Sequence, residues 1–383
     1  MHEKLRAVRF IFLLCGIGIS SWAPMVPFAK AGLNLDEAEL GLVLLAFAIG
    51  ALVTMPLTGW LIQRFGSRRL IVIGGCCLIV ILPLLTMAPT AEYLSLFLLL
   101  FGSASGVLNV AVNSQAVALE VKTGLPLMSG FHCLFSLGGL FGAAFMSLFL
   151  ESGLSLFFSA LAASAMLLML LSTQSKHLLP AQDDIKSAND ASWTFPKGKV
   201  LLFGLFCFIF FLGEGAMLDW SAVFLGSTHQ YQPGMAGIGY AIFSVAMAFG
   251  RYIGDRLIQR FGPVAVLQAG GFLAASGMLI AVNVGSGIEL LGFLLIGLGA
   301  SNVVPIVFSA AGRLPDAASS LSLTVVTTCG YAGILLGPAM IGFIAQATSL
   351  SVALTGVAFL LSIVSFGGRK IESAVPSASP INV

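Results

Sequence analysis

The 383-residue sequence contains 18 Lys and Arg and 16 Asp and Glu, so that charged residues make up 9% of it, against about 25% in a soluble domain. The hydrophobic fraction of 58% excludes an ordinary soluble protein and indicates a chain that lies in lipid. A net charge of +2 is too small for a nucleic-acid-binding surface. The six cysteines lie in apolar runs without C-x-x-C spacing, so we expect no disulfide framework, metal site or cofactor.

Twelve apolar segments approach the ~20 residues that a helix needs to cross a membrane core of about 30 Å. The first follows Lys4, Arg6 and Arg9 as a signal peptide would, but no A-x-A-like cleavage site follows it, so we count it as a span. We therefore predict an all-α membrane protein with twelve transmembrane helices. Spans 1 to 12 are placed at residues 8–29, 39–61, 70–88, 93–117, 126–150, 154–172, 200–225, 235–257, 264–284, 288–311, 319–346 and 350–367.

The positive residues indicate how the chain is oriented. All Lys and Arg except Lys30 fall at the N-terminus or at the ends of even-numbered spans, and such residues concentrate on the cytoplasmic side. We expect both termini to be cytoplasmic and the protein to lie in the cell inner membrane.

An internal repeat divides the chain. Leu-Ile-Gln-Arg-Phe-Gly at 61–66 recurs unchanged at 257–262, an offset of 196, and parallel repeats of this kind are typical of secondary transporters. We predict two six-helix bundles, at 1–172 and 199–370. A polar cytoplasmic linker at 173–198 joins them, and a cytoplasmic tail follows at 371–383.

Residues 59–69, Gly-Trp-Leu-Ile-Gln-Arg-Phe-Gly-Ser-Arg-Arg, resemble the signature loop of the major facilitator superfamily, usually G-x-L-x-D-R-x-G-R-R/K. The resemblance extends over essentially the whole chain and implies a transporter that works by alternating access. Gln63 stands where the family has Asp, so the helix-dipole and charge-relay role of that carboxylate cannot be carried over.

Two further segments are similar to a narrower group, the MosC-like membrane proteins, which are distantly like the fucose permeases. They are Glu-Gly-Ala-Met-Leu-Asp-Trp-Ser at 214–221 and Gly-Arg at 250–251 through Gly-Asp-Arg-Leu at 254–257. The likeness implies proton-coupled movement of a small polar solute, sugar- or cyclitol-like. Asn109 departs from it, because an acid would be expected there in span 4.

Ionisable residues at membrane depth are functional by default, and span 7 carries two carboxylates there. Glu214 lies midway and Asp219 five residues further on, about 140° around the helix. We predict proton-coupling roles for both, with Glu214 as the carrier because no Lys or Arg is expected at its depth. His132, within span 5, is predicted to relay protons. The alternatives are structural: a permanently protonated Glu214, an Asp219 that bonds across the bundle, and a His132 that only packs.

Candidate substrate-binding residues are polar or aromatic groups within the spans. Asn109 and Asn113 are four residues apart in span 4 and so share a helix face. We expect that face to bind solute hydroxyl groups. The remaining candidates are Asn302 and Tyr331 for hydroxyl recognition, and Trp22 and Trp220 for stacking on a sugar face. The alternative is packing between helices for the asparagine pair, and packing or a place in the interfacial belt for each aromatic residue.

The repeat also predicts a cytoplasmic gate. Arg64 and Glu120 in the first half correspond to Arg260 and Asp316 in the second, at the same offset of 196. We expect each arginine to pair with the acid of its own half when the cytoplasmic side is closed. The alternative is that the arginines only orient the chain.

Together these features predict a proton-coupled transporter that takes up a small polar organic solute, with protons and the lipid bilayer as its other partners. A monomer is expected. Proton-antiport efflux and a nontransporting membrane sensor remain the alternatives. An intramembrane enzyme is disfavoured because the chain has no H-E-x-x-H, no G-x-S-x-G and no P-loop.

Overall fold

The structure is a computed structural model that describes residues 1–184, 198–232, 235, 237–314 and 319–368. Within these ranges the regular elements are all helices, and each of the twelve predicted spans coincides with one. The predicted fold class is confirmed. The spans comprise His2–Leu33, Glu37–Phe65, Ser67–Leu85, Ala91–Thr123, Met128–Glu151, Leu156–Gln174, Lys199–Ser227, Ile238–Phe261, Pro263–Asn283, Glu289–Ala311, Ser319–Ala347 and Leu350–Gly367.

Eleven helices in the described part of the chain are long and apolar enough to cross a membrane. The remaining span, Ile238–Phe261, has 24 residues and is therefore about 36 Å long. It differs from the others in its charge, because it carries Arg251, Asp255, Arg256 and Arg260. Its length still allows it to cross the bilayer.

Prolines interrupt two of the spans. Span 1 consists of the helices His2–Ser20 and Val26–Leu33, joined by a 3-10 turn at Ala23–Met25. Span 10 consists of Glu289–Ala300 and Val303–Ala311. Pro305 has no N–H and cannot bond the carbonyl four residues before it, so the carbonyl of Ser301 is left for another donor.

Internal contacts divide the chain into two compact units. The first is formed by Met1–Leu119 and Phe131–Ala188, and the second by Glu120–Gly130 and Asn189–Val383. The second unit thus includes the turn between spans 4 and 5. The described part of the linker belongs to the first unit, where Leu178 and Leu179 are buried. The domain boundaries expected from the sequence stay a prediction.

Glycines allow the helices within each unit to approach closely. A Cβ atom on Gly102 would overlap the carbonyl oxygen of Phe47 in span 2, and one on Gly333 would overlap that of Phe208 in span 7. Small residues at such crossings replace side-chain packing by backbone contact, as is common between membrane helices. Substitution at either position would push the two helices apart.

Candidate functional site

In the first unit, three predicted site residues form one hydrogen-bonded chain. The Asn113 Nδ2 donates to the backbone oxygen of Asn109 at 2.8 Å and approaches its Oδ1 at 3.3 Å. The Oδ1 of Asn113 lies 3.2 Å from Nε2 of His132. Asn113 and His132 are buried, whereas Asn109 is half-buried. The structure therefore brings the amide face and the histidine together, with Asn109 as the accessible end.

The chain of bonds also assigns the proton on His132. Because Nδ2 of Asn113 donates toward Asn109, its Oδ1 is the acceptor that faces the imidazole. Nε2 of His132 therefore carries a hydrogen and donates it to Asn113. The ring also packs 5.4 Å from that of Phe12 in span 1, so contacts on two sides fix its orientation.

In the second unit, Glu214 has a cationic neighbour that the sequence analysis did not expect. The Nη2 of Arg251 lies 3.9 Å from Oε2 of Glu214, and their side chains are 8% and 27% exposed. The expectation that no arginine reaches the depth of Glu214 is wrong. Span 8 continues to Phe261, which places Arg251 ten residues, or about 15 Å, inside its end. Arg251 lies six residues before the predicted end of span 8, and this position could have indicated from the sequence that its guanidinium reaches the depth of Glu214.

Arg251 is held by a second contact that follows from the interruption of span 10. Its Nε donates to the carbonyl oxygen of Ser301 at 3.4 Å, the carbonyl that Pro305 leaves without a helical donor. A buried guanidinium needs both charge compensation and acceptors for its N–H groups. Glu214 supplies the compensating charge, and the carbonyl oxygen of Ser301 accepts from one of the N–H groups.

Asp219 lies on the same helix as Glu214 but in different surroundings. Its side chain is exposed, and no hydrogen bond or ion pair to it is found within the described ranges. Tyr240 of span 8 is close enough to Glu214, Asp219 and Arg251 to interact electrostatically with all three. Tyr240 is a further polar neighbour that the sequence analysis did not single out.

The two candidate tryptophans each bury a donor. The indole Nε1 atoms of Trp22 and Trp220 have no hydrogen-bond partner among the described residues. A buried donor without a partner costs about 1–3 kcal/mol, a cost that a ligand acceptor would remove. The ring of Trp220 lies next to Gly342 of span 11, while Trp22 lies at the interruption of span 1.

The other two substrate-binding candidates are largely engaged in helix packing. The Nδ2 of Asn302 donates to the Gly250 carbonyl at 3.0 Å and to Oγ of Ser301 at 2.8 Å. Asn302 is buried and so joins span 10 to span 8. Tyr331 is half-buried, with its ring 5.8 Å from that of Phe211. Of these two, Tyr331 is the more accessible.

The gate residues have partners other than those the repeat suggested. Glu120 is buried and forms an ion pair with Arg313 at 3.1 Å. Its carboxylate also accepts from the hydroxyl group of Ser309 and from the backbone N–H groups of Leu127 and Met128 at 2.7 and 3.0 Å. Four donors compensate the burial of this charge. The expected pairing of Glu120 with Arg64 is therefore replaced by pairing with Arg313.

A second carboxylate binds the same turn between spans 4 and 5. Asp255 accepts from the backbone N–H groups of Ser129 at 3.0 Å and Gly130 at 2.9 Å, in the first turn of the helix Met128–Glu151. An acid is favourable there because unpaired N–H groups and the positive end of the helix dipole meet at that point. The sequence analysis did not single out Asp255 for this role.

The arginines of the predicted gate lie over aromatic rings. The Arg64 guanidinium is 5.6 Å from the ring centres of Trp60 and Phe65, and that of Arg260 is 5.3 Å from Phe261. Both arginines are exposed. Asp316, the predicted partner of Arg260, lies outside the described residues.

Comparison with known proteins decides the family. The sequence profile of the Major Facilitator Superfamily matches residues 9–338. The chain belongs to the major facilitator superfamily. It is 44% identical to an uncharacterized MFS-type transporter of Yersinia pestis over 366 residues, 95% of each protein. It is 34% identical to the membrane protein MosC of Rhizobium meliloti over 355 residues, 91% of this chain and 86% of that protein.

The fold is also similar to that of a solved member of the superfamily, the E. coli fucose:proton symporter FucP. The TM-score is 0.81 at 18% sequence identity, with 96% of this chain and 98% of that chain covered. The predicted resemblances to the superfamily and to MosC are confirmed. This major facilitator superfamily protein is a multi-pass membrane transporter and not an enzyme.

The signature loop of this superfamily member carries an acid that comes from the linker. Ser67, the first residue of span 3, donates to Asp184 from its backbone N at 2.8 Å and from its Oγ at 2.5 Å. Gln63, which replaces the usual Asp, lies four residues earlier in the loop. Asp184 therefore supplies a carboxylate to this loop, which has Gln63 in place of the usual Asp.

Proposed function

We propose that this transporter takes up a small polar organic solute, sugar- or cyclitol-like, together with protons across the cell inner membrane. Alternating access of two bundles would carry both from the outer to the cytoplasmic side. The fold shared with a fucose:proton symporter and the 34% identity to MosC support this proposal. Its topology, with both termini in the cytoplasm, follows from the positive-inside distribution of Lys and Arg.

One observation carries the coupling part of the proposal: span 7 and span 8 place two carboxylates and one guanidinium at membrane depth. Glu214, Asp219 and Arg251 together carry a net charge of −1 when both carboxylates are ionised, and one bound proton makes the three residues neutral. Moving a charged cluster between two access states in a low-dielectric membrane is costly. A proton bound in each cycle removes that cost.

Glu214 is the proton carrier in this scheme, and Arg251 is its counter-ion. When Glu214 is ionised, the ion pair at 3.9 Å compensates both buried charges. When Glu214 takes up a proton, the attraction between it and Arg251 is lost. Arg251 then retains its hydrogen bond to the carbonyl oxygen of Ser301. Asp219 is more exposed and is placed to exchange protons with water.

Substrate binding is assigned to polar groups that are accessible or that lack a hydrogen-bond partner among the described residues. Asn109 presents its amide from the half-buried end of the chain that runs to His132. Trp22 and Trp220 each offer a free N–H group beside an aromatic face, a combination that suits sugars and cyclitols. His132 keeps Asn113, and thereby Asn109, in place, while a proton relay through it to a carboxylate stays a prediction.

Transport by purified protein in lipid vesicles tests the proposal. A thermal-shift screen against sugars, cyclitols and amino sugars would first identify a ligand, because binding to the native state raises the unfolding temperature. An acidic exterior should then drive accumulation of that ligand. Glu214→Gln should abolish the accumulation yet retain exchange of ligand across the membrane, since exchange releases no net proton.

The controls separate uptake from the alternatives. Asp219→Asn is the matched variant on the same helix and should slow accumulation without abolishing it. Accumulation that needs an acidic interior would establish antiport efflux, and ligand binding without any flux would establish a sensor. Normal accumulation by Glu214→Gln would eliminate Glu214 as the carrier.

A further inference from the structure

One face of span 2 is apolar and exposed along its whole length. Its exposed large residues follow the spacing of three and four that marks a single helix face. They are Leu42, Leu45, Ile49, Val53, Leu57 and Trp60. An exposed face with no polar group suits acyl chains and not a water-filled cavity, so this face lies against lipid.

Arg64 continues the same face one turn beyond Trp60. It is exposed, and its guanidinium lies 5.6 Å from the rings of both Trp60 and Phe65. Tryptophan is enriched where acyl chains meet headgroups, and arginine reaches from there toward the polar layer. Arg64 is thereby directed at the lipid headgroups.

The charge of Arg64 is not compensated by any ion pair in the described part of the chain. Among the acids of the linker, Asp183 pairs with Lys4 at 3.0 Å, and Asp184 binds Ser67. By contrast, Arg251 and Arg313 each have a glutamate partner. In the described part of the chain, Arg64 therefore has no carboxylate partner and is available to an external anion.

Two more arginines follow in the first turn of span 3. Arg69 is exposed and Arg68 is half-buried, so three guanidinium groups lie within six residues of sequence. A guanidinium binds phosphate oxygens through two parallel N–H donors. We propose that Trp60, Arg64 and Arg69 form a binding site for the phosphate group of an anionic phospholipid.

The second half of the chain provides a matched control. Arg260 occupies the corresponding place in the repeated hexapeptide and lies 5.3 Å from the ring of Phe261. There the next residues are Pro263 and Val264, so no further arginines follow. Arg260 lies beside a phenylalanine as Arg64 does, but Arg256 stands in the place of Trp60 and no arginine follows in the first turn of the next span.

Trp60 allows the site to be tested directly by fluorescence. A variant with Trp22, Trp193 and Trp220 replaced by Phe keeps Trp60 as its single tryptophan. It would be reconstituted in phosphatidylcholine vesicles in which a minor fraction of the lipid is brominated, either phosphatidylglycerol or phosphatidylcholine. Brominated phosphatidylglycerol should quench Trp60 more strongly, in line with an enrichment of about five-fold per engaged arginine.

Arg64→Gln should reduce this preference about five-fold, while Arg260→Gln should leave it unchanged. Equal quenching by the two brominated lipids in the parent variant, or an undiminished preference in Arg64→Gln, would overturn the proposal. So would loss of the preference when inorganic phosphate replaces chloride at constant ionic strength, because the site would then bind a soluble anion. If Arg64→Gln does not fold, the parent variant still decides: raising the salt concentration must weaken the preference, and an unchanged preference would reject the site.

Discussion

Arg251 is held at membrane depth by two acceptors that arise for separate reasons. Glu214 is an ionisable residue of span 7 and compensates its charge. The carbonyl of Ser301 is available because Pro305, four residues later, cannot donate to it. A proline that interrupts one helix therefore supplies the polar contact that a neighbouring helix needs.

The first prediction concerns the stability of this pair. Arg251→Gln leaves Glu214 without its counter-ion, and breaking a buried pair costs about 3–5 kcal/mol. Because the Glu214 side chain is 27% exposed, we expect about half of that, ~2 kcal/mol. The double variant Glu214→Gln with Arg251→Gln should be more stable than Arg251→Gln alone, since it leaves no unpaired charge.

Thermal unfolding in detergent would measure both variants and both single changes. The coupling energy of the double-mutant cycle reports the pair itself. Effects that simply add would show that the two side chains do not interact.

The second prediction separates the two asparagines of span 4. Asn109→Ala should weaken ligand binding by about 1–3 kcal/mol, the usual cost of an unsatisfied partner, with little change in unfolding temperature. Asn113→Ala should weaken binding and also lower the unfolding temperature, because Asn113 is buried and bonds His132. Ligand titration and thermal unfolding of the same samples would show it. Unchanged affinity in both variants would make this face a packing surface.

At the scale of elements, hydropathy was sufficient to place the spans. Each predicted span coincides with a helix, and the ends usually agree within a few residues, because the thickness of the bilayer fixes helix length. What hydropathy could not predict is which polar groups meet. Gln115 shares no face with Asn109, and only the structure reveals that its amide binds the linker at Leu179.

The linker contributes to the first unit through a small set of hydrogen bonds. Gln115 bonds both the N–H and the carbonyl of Leu179, at 3.0 and 2.9 Å, and also the Oγ of Ser67 at 2.8 Å. Asp184 accepts from the N–H of Ser67 and so caps the first turn of span 3. In the second half the corresponding residue is Pro263, which has no N–H and needs no cap.

The third prediction follows from this cap. Asp184→Ala should destabilise the start of span 3 by about 1–3 kcal/mol, the usual cost of leaving a buried donor without its acceptor. Amide hydrogen exchange at the first turn of Ser67–Leu85 should become faster. Asp183→Ala is the matched control, because its surface pair with Lys4 contributes about 1 kcal/mol at most. Equal protection in both variants would contradict the role of Asp184.

At the scale of the whole molecule, the sequence repeat identifies equivalent positions but not contacts. Arg64 and Arg260 occupy equivalent places, and both lie exposed over an aromatic ring. The contacts of Glu120 are with Arg313 and with the turn after span 4. The partners of a buried carboxylate are the hydrogen-bond donors that surround it in the fold. The offset between two sequence repeats does not predict which residues those donors are. The partner of Glu120 could not be derived from symmetry for this reason, while the pairing of Arg260 with Asp316 stays a prediction.

The last prediction concerns which residues close the cytoplasmic side. We propose that Glu120 and Asp255 do so, because both hold the turn Glu120–Gly130, which connects spans 4 and 5, within the second unit. Hydrogen bonds to charged groups contribute about 1.5–3 kcal/mol, so Glu120→Gln or Asp255→Asn should increase the cytoplasm-open population about tenfold or more. Alkylation of single cysteines placed at each membrane face, with the six native cysteines replaced, would measure it.

Arg64→Gln distinguishes this gate from the pairing that the repeat suggested. Arg64 is exposed and faces aromatic rings, so its substitution should leave the labelling pattern close to that of the parent protein. The opposite result, in which Arg64→Gln opens the cytoplasmic side and Glu120→Gln does not, would require a gate that depends on Arg64 alone. It would also exclude closure by a pair of Arg64 with Glu120, because such a pair needs both residues. If only Glu120→Gln and Asp255→Asn shift the labelling, closure depends on how the turn between spans 4 and 5 is held.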